Sequence, residues 1–198
     1  MKRPELGGLS LTRDLGTALG VRDNGSHVGS DEMWIQGIKH KYGQVAPNTE
    51  TQTQRAALSC EATKIYLPDG NFMELNVGNA MRATTEQLFN SRREGSMSMQ
   101  EVASICIHKA DVDIRGDLWR SVIVHGGTSH IPGLIERLKN ELKAILPPTA
   151  NLNVIKSDHN AVWTGGSILA ALSTFDQMWI SKAEYSDTGP SIVHRKCF

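Results

Sequence analysis

What this 198-residue sequence is short of narrows its class before any motif is read. Its three cysteines, Cys60, Cys106 and Cys197, are an odd number, far apart and without a CxxC pair. That excludes a disulfide framework and a zinc knuckle, and it predicts reduced, intracellular thiols. Neither sign of charge is in excess, because 21 basic residues face 21 acidic ones. Bulk charge therefore favours neither nucleic acid nor a membrane as a partner. No apolar run approaches the roughly 18 residues of a membrane span, and MKRPELGGLS lacks the apolar centre of a signal peptide. A soluble protein made on free ribosomes is expected. What is plentiful is apolar residues, 39% of the chain, enough for one sizeable core or two small ones.

Along the chain the character changes twice. VRDNGSHVGS, from Val21 to Ser30, has the glycines and short polar side chains of a phosphate cradle. Before it, Leu11, Leu15, Ala18 and Leu19 recur at helical spacing, so a helix rather than a strand leads in. Gly20 and the residues Asp23 to Ser26 equally make a helix stop and a turn. A second helical pattern covers Met33 to Tyr42, and PNTETQTQ, from Pro47 to Gln54, is a polar connector. Lys64 to Leu75 reads as a hairpin, with Pro-Asp-Gly supplying the turn. Ala80 to Gln100 is polar, and SRREGSMSMQ within it reads as an exposed loop.

From Asp111 onward the pattern becomes informative. SVIV, from Ser121 to Val124, fits a buried parallel strand and runs into Gly126-Gly127. Pro132 is placed for a first helical turn; Leu134, Ile135, Leu138, Leu142 and Ile145 mark an apolar stripe that ends before Pro147-Pro148. NLNVIK gives a second strand, and Trp163 leads into TGGSILAALSTF, read as another Gly-Gly turn and an apolar helix. The expected class is α/β, with both glycine turns on one side of a sheet. A glycine turn from strand to helix brings backbone N–H groups to a positive dipole end and lets a ligand approach closely. HGGTSHIPG thus points to a nucleotide contact, although tight strand–helix packing alone produces the same sequence.

The C-terminal residues sharpen this. VWTGGSILAALSTFDQMWISKAEYSDTGPSIVHRKCF resembles the end of actin, and VDIRGDLWRSVIVHGGTSHIPGL resembles the segment of actin that contacts adenosine. The resemblance runs nearly without a gap from Asp111 to Phe198. Upstream, IYLPDGNFMEL is similar to the family's Leu-Pro-Asp-Gly hairpin, Ile38 to Tyr42 stands at nearly the family distance ahead of it, and LSLTRDL is similar to a family helix start. The resemblance implies the second half of an actin-type, ribonuclease H-like ATPase fold. Residues 1–78 would form a helical segment and hairpin like subdomain 4, 79–160 an α/β core like subdomain 3 with its Gly-Gly turn, and 161–198 the C-terminal helices that return to subdomain 1. In that register VRDNGSHVGS falls between two helices, not at the family's phosphate loop.

The same resemblance places Gly126, Gly127, Thr128, His130 and Ile131 at a nucleotide site, together with Lys39, His40 and His159. Three positions depart from the family: His40 replaces a ribose-binding glutamate, Ile131 a tyrosine against the base, and His159 a lysine. Imidazole accepts from sugar hydroxyls less strongly than a carboxylate. Weak or vestigial binding of ATP or ADP is therefore expected, with Mg2+ only in a complete actin fold. The family's phosphate loops belong to its first half, so no catalytic residue is assigned and this chain alone is not expected to hydrolyse ATP. Ile168, Leu169, Leu172 and Met178 match half of the apolar groove that receives amphipathic helices of actin-binding proteins. DVDIR, Asp111 to Arg115, matches a subunit contact, but SRREGSMSMQ puts charges where the family has an apolar plug, and burying them is costly.

Two classes of function follow. One is an actin-like structural and interaction protein in the cytoplasm, with actin-like subunits or actin-binding proteins as partners; in its nuclear form it is an actin-related subunit of a chromatin-remodelling complex, to which SVIV and ELKAILPPTANL are similar. The other is a phosphotransferase of the wider superfamily, such as a sugar kinase, which shares the Gly-Gly turn. The tail HRKCF argues for the first.

Overall fold

The computed structural model describes residues 7–20, 30–46, 62–66, 70–90, 96–148 and 150–196. The chain forms two compact units, Met1–Ser157 and Asp158–Phe198.

The first unit opens with α1, Gly8–Ala18, whose helical spacing buries Leu11 and Leu15. Gly20 follows it at φ 73, a left-handed conformation that a residue without Cβ adopts freely. The phosphate-like loop Val21 to Gly29 lies outside the described residues, as does the connector at 47–54. Helix α2, Ser30–Tyr42, buries Ile35, Ile38 and Lys39. The hairpin is antiparallel: β1, Thr63–Tyr66, runs against β2, Phe72–Leu75, with Lys64 opposite Glu74.

The polar stretch after the hairpin is largely helical, which corrects its reading from sequence. Helix α3 spans Val77–Glu86, and its buried face is Val77, Ala80 and Met81 followed by Thr84 and Thr85. The threonine hydroxyls donate to Ala80 O and Met81 O at 2.8 and 2.9 Å, so they are satisfied within their own helix and can be buried. Polar side chains on the inner face are what concealed this helix. Helix α4, Met99–His108, takes the last two residues of SRREGSMSMQ. Ser98 ahead of it is buried, and its N–H donates to Glu101 Oε2 at 2.9 Å. Residues 91–95 of that loop are not among those described.

Helix α5, Val112–Arg120, buries Trp119. Strand β3, Val122–Val124, then pairs in parallel with β4, Val154–Lys156. The parallel pairing agrees with the sequence; the expected burial does not, since Ile123 is 64% exposed. Among the described residues this sheet has two strands only, and the Ile123 side chain stands on a face that nothing covers among them. Between the strands lies α6, Leu134–Ile145, which buries Leu134, Leu138 and Leu142 as its stripe requires.

Two cores result. One joins Leu11, Phe89, Trp119, Leu138 and Leu142; the other joins Leu15, Ile35, Ile38, Leu75 and Met81. Helix α1 thus supplies adjacent turns to both. Arg137 is fully buried beside the first core: its guanidinium donates to both Glu86 oxygens at 2.8 and 3.0 Å, to Glu141 Oε1 at 2.7 Å and to Ala46 O at 3.2 Å, and lies over the Phe89 ring. Burial opposes its charge, but the hydrogen bonds it donates to Glu86 and Glu141, with the attraction of those two carboxylates, outweigh that and raise its pKa. Removing one partner of such a pair costs about 3–5 kcal/mol, because it strands a buried charge.

The second unit carries α7, Ala161–Ala171, a 3-10 turn at Phe175–Met178, α8, Lys182–Thr188, a further 3-10 turn at Gly189–Ile192, and α9, Val193–Lys196. The second glycine pair is not a turn. Helix α7 begins at Ala161, after the Asp158 carboxylate has accepted the Asn160 N–H at 3.1 Å, and Gly165 and Gly166 continue it. Only the Gly126-Gly127 pair is a strand-to-helix turn. Among this unit's described residues Ile192 alone is a buried hydrophobe. Lys196 ties the unit's end to its middle by donating to Glu184 Oε1 at 2.7 Å and Trp179 O at 2.6 Å. No described helix is long and apolar enough to cross a membrane.

Candidate functional site

The turn after β3 is fixed by its own hydrogen bonds. Gly126 has φ 104, which only glycine adopts without strain, and its carbonyl accepts from Ser129 N at 3.0 Å and Ser129 Oγ at 2.7 Å. The chain then winds through one 3-10 turn, Gly127–His130, and Ile131 N–H donates to Thr128 O at 3.1 Å. A Cβ placed on Gly127 would meet nothing within 4 Å, so this residue leaves open space above the turn.

Helix α1 closes one side of that space. A Cβ on Gly8 would come within 3.2 Å of Thr128 Oγ1, so glycine is what lets the helix start approach the turn this closely. Helix α2 closes another side through Lys39, whose Nζ donates to Gly8 O and Thr12 Oγ1, both at 2.7 Å. Gly8 and Thr12 are four apart on α1, so both present to the same amine. Lys39 is 8% exposed, and desolvation pushes its pKa down.

Together these elements enclose a cleft of ≈ 360 Å³, at the lower end of the range of about 300–1,000 Å³ that ligand pockets occupy. Gly8, Leu9 and Thr12 line it from α1, Gln36, Lys39 and His40 from α2, and Gly127, Thr128 and Ile131 from the turn. The described lining carries no carboxylate. A ligand here meets hydrogen-bond donors, two hydroxyls, an amide and the apolar Leu9 and Ile131 side chains; its own hydroxyls find no carboxylate acceptor in the described lining.

Five residues singled out from the sequence, Lys39, His40, Gly127, Thr128 and Ile131, are thus neighbours around one space. Gly126 shapes the turn from behind it, and His130 is exposed at the turn's end, with Nδ1 3.3 Å from Gly126 O and from Ser129 Oγ. His159 belongs to the second unit, where it is exposed just before α7. Gly8, Leu9, Thr12 and Gln36 were not anticipated; the Gly7-Gly8 pair at a helix start, with a hydroxyl one turn on, is the signal that marks Gly8 and Thr12.

The apolar residues singled out near the C-terminus lie in the second unit. Ile168 and Leu169 on α7 and Leu172 at its C-cap are exposed, and Met178 in the following 3-10 turn is half-buried. Beside them Phe175 and Trp179 pack edge to face, ring centroids 6.0 Å apart. Among the described residues no group of three or more His, Cys, Asp or Glu side chains gathers to hold a metal ion. A family model described as Actin matches residues 26–198.

Proposed function

This chain belongs to the actin family, and we propose that it is an actin-like interaction subunit that holds the nucleoside end of ATP or ADP weakly. The cleft between α1, α2 and the glycine turn carries the reading. Gly127 leaves room for a flat or phosphorylated ligand against the backbone, and the Lys39 amine offers a donor from the floor. Weakness follows from the same lining, because its described residues offer no carboxylate to which ribose hydroxyls would donate. The exposed apolar residues of α7 suit a protein that works by contact with others.

The test is titration of the full chain with fluorescent ethenoadenosine triphosphate. Binding is expected with a dissociation constant near 1 mM, which corresponds to about −4 kcal/mol. Gly127→Leu should abolish it while leaving the melting temperature unchanged, since the new side chain enters open space. His40→Glu should tighten it about tenfold, as a charge-assisted hydrogen bond is worth roughly 1.5–3 kcal/mol. Sub-micromolar affinity, or affinity indifferent to Gly127→Leu, would overturn the proposal.

A further inference from the structure

Helix α2 has a second cleft on another side, of ≈ 330 Å³, against strand β1. Trp34, Tyr42 and Tyr66 supply aromatic walls, Ile38 and Ile65 an apolar base, Gly37 a gap in the helix surface, and Lys41 and Lys64 the charge. We propose that this cleft docks an extended acidic segment of a partner protein, anchored by one aromatic or large aliphatic side chain. The proposal is independent of the nucleotide cleft.

Charge selects this occupant. Lys41 Nζ lies 5.3 Å from the centre of the Tyr42 ring, and Lys64 Nζ 5.2 Å from that of Phe72, so each ammonium is held beside an aromatic surface. The described lining contains no acid. Glu74, outside the lining, is 3.6 Å from Lys64, but both side chains are more than half exposed, and such a pair binds its lysine weakly. Three aromatics alone would also suit a quaternary ammonium, but two lysines in the same lining repel a cation. They are too few for a nucleic acid, whose binders neutralise roughly 6–10 phosphates.

Shape agrees with charge. Trp34 Nε1 donates to Tyr66 O at 3.2 Å, which fixes the indole as a wall instead of leaving it free to fill the gap. A Cβ on Gly37 would meet nothing within 4 Å, leaving space for an anchoring side chain. Among the described residues β1 pairs with β2 alone, so it is an edge strand, the kind of element that extended peptides lie along.

The experiment is fluorescence anisotropy with the full chain and a fluorescein-labelled hexapeptide, Asp-Glu-Phe-Glu-Asp-Leu, against a control, Lys-Arg-Phe-Arg-Lys-Leu. The acidic peptide is expected to bind and to weaken with added salt, and the control to show no binding. Lys41→Glu should weaken binding about tenfold. Gly37→Leu should abolish it while the melting temperature holds or rises, because glycine inside a helix is the poorer helix former. Equal binding of both peptides, or binding that survives Gly37→Leu, overturns the proposal. So does the absence of binding; if sedimentation then shows self-association that Gly37→Leu removes, the cleft belongs to a second copy of the chain.

Discussion

Helices α6 and α7 are of similar length and opposite character. Helix α6, LIERLKNELKAI, alternates leucines with charges; α7, AVWTGGSILAA, carries no charge at all. The charged helix is the one that is buried: Leu134, Leu138 and Leu142 are at most 4% exposed, whereas no residue of α7 is buried and Ile168 is 61% exposed. Burial follows the arrangement of apolar residues, not their amount. Leucines four apart give α6 one continuous face for the core, and its charges other than the buried Arg137 occupy the remainder. In α7 the apolar residues are spread around the axis and interrupted by Gly165 and Gly166.

The sharpest way to break this contrast is to shorten one side chain in each helix. Leu142→Ala should destabilise the protein by about 2–5 kcal/mol through lost burial and the cavity left behind. Ile168→Ala should change stability by no more than about 0.5 kcal/mol, as exposed substitutions do. Chemical denaturation of both variants decides it, and comparable losses would sink the contrast.

A smaller difference is expected between two glycines. Gly133 precedes α6 at φ 84, and a Cβ there would collide with Val45 O. Gly133→Ala should cost about 1–3 kcal/mol. Gly166→Ala in α7 meets empty space and should gain about 0.5–1 kcal/mol from helix propensity. Opposite shifts in melting temperature are the expected result, and shifts of the same sign would refute it.

The smallest effect is electrostatic and confined to the second unit. The Lys196 hydrogen bond, with the Ser181 N–H and hydroxyl, lowers the Glu184 pKa from 4.5 to about 2. The folded form is the stronger acid, so the stabilisation is fully present above pH 4.5 and disappears as pH falls toward 2. Carboxyl chemical shifts should place the Glu184 midpoint near 2, and Lys196→Met should move it upward. A midpoint near 4.5 in the unaltered protein would show that this contact does not hold in solution.

These contrasts also show what could be read from the chain beforehand. Leu11 with Leu15, and Leu134 with Leu138 and Leu142, advertise their helices because leucines four apart mark the inner face even where Thr12 and Arg137 share it. Helix α3 stayed hidden because Thr84 and Thr85 complete its inner face by bonding their own backbone. Gly126-Gly127 and Gly165-Gly166 look alike in sequence, yet only the first pair follows a strand and includes a positive φ. The gathering of Lys39 with Gly127 and Thr128 was accessible through family likeness alone, since no local pattern links residues so far apart. Gly8 and Thr12 were missed because their task, holding a lysine amine, depends on how α1 meets α2.

The Arg137 clamp has a consequence for the order in which the chain assembles. Its contact with Glu86 closes a loop of 51 residues and that with Ala46 one of 91. The entropy lost in closing loops of this size must be recovered from contacts that only exist once α3 and α6 lie side by side. The guanidinium can be fully bonded only where all its partners are already gathered, so its bonds fasten together parts of the chain that are far apart in sequence and act as a lock on the finished unit.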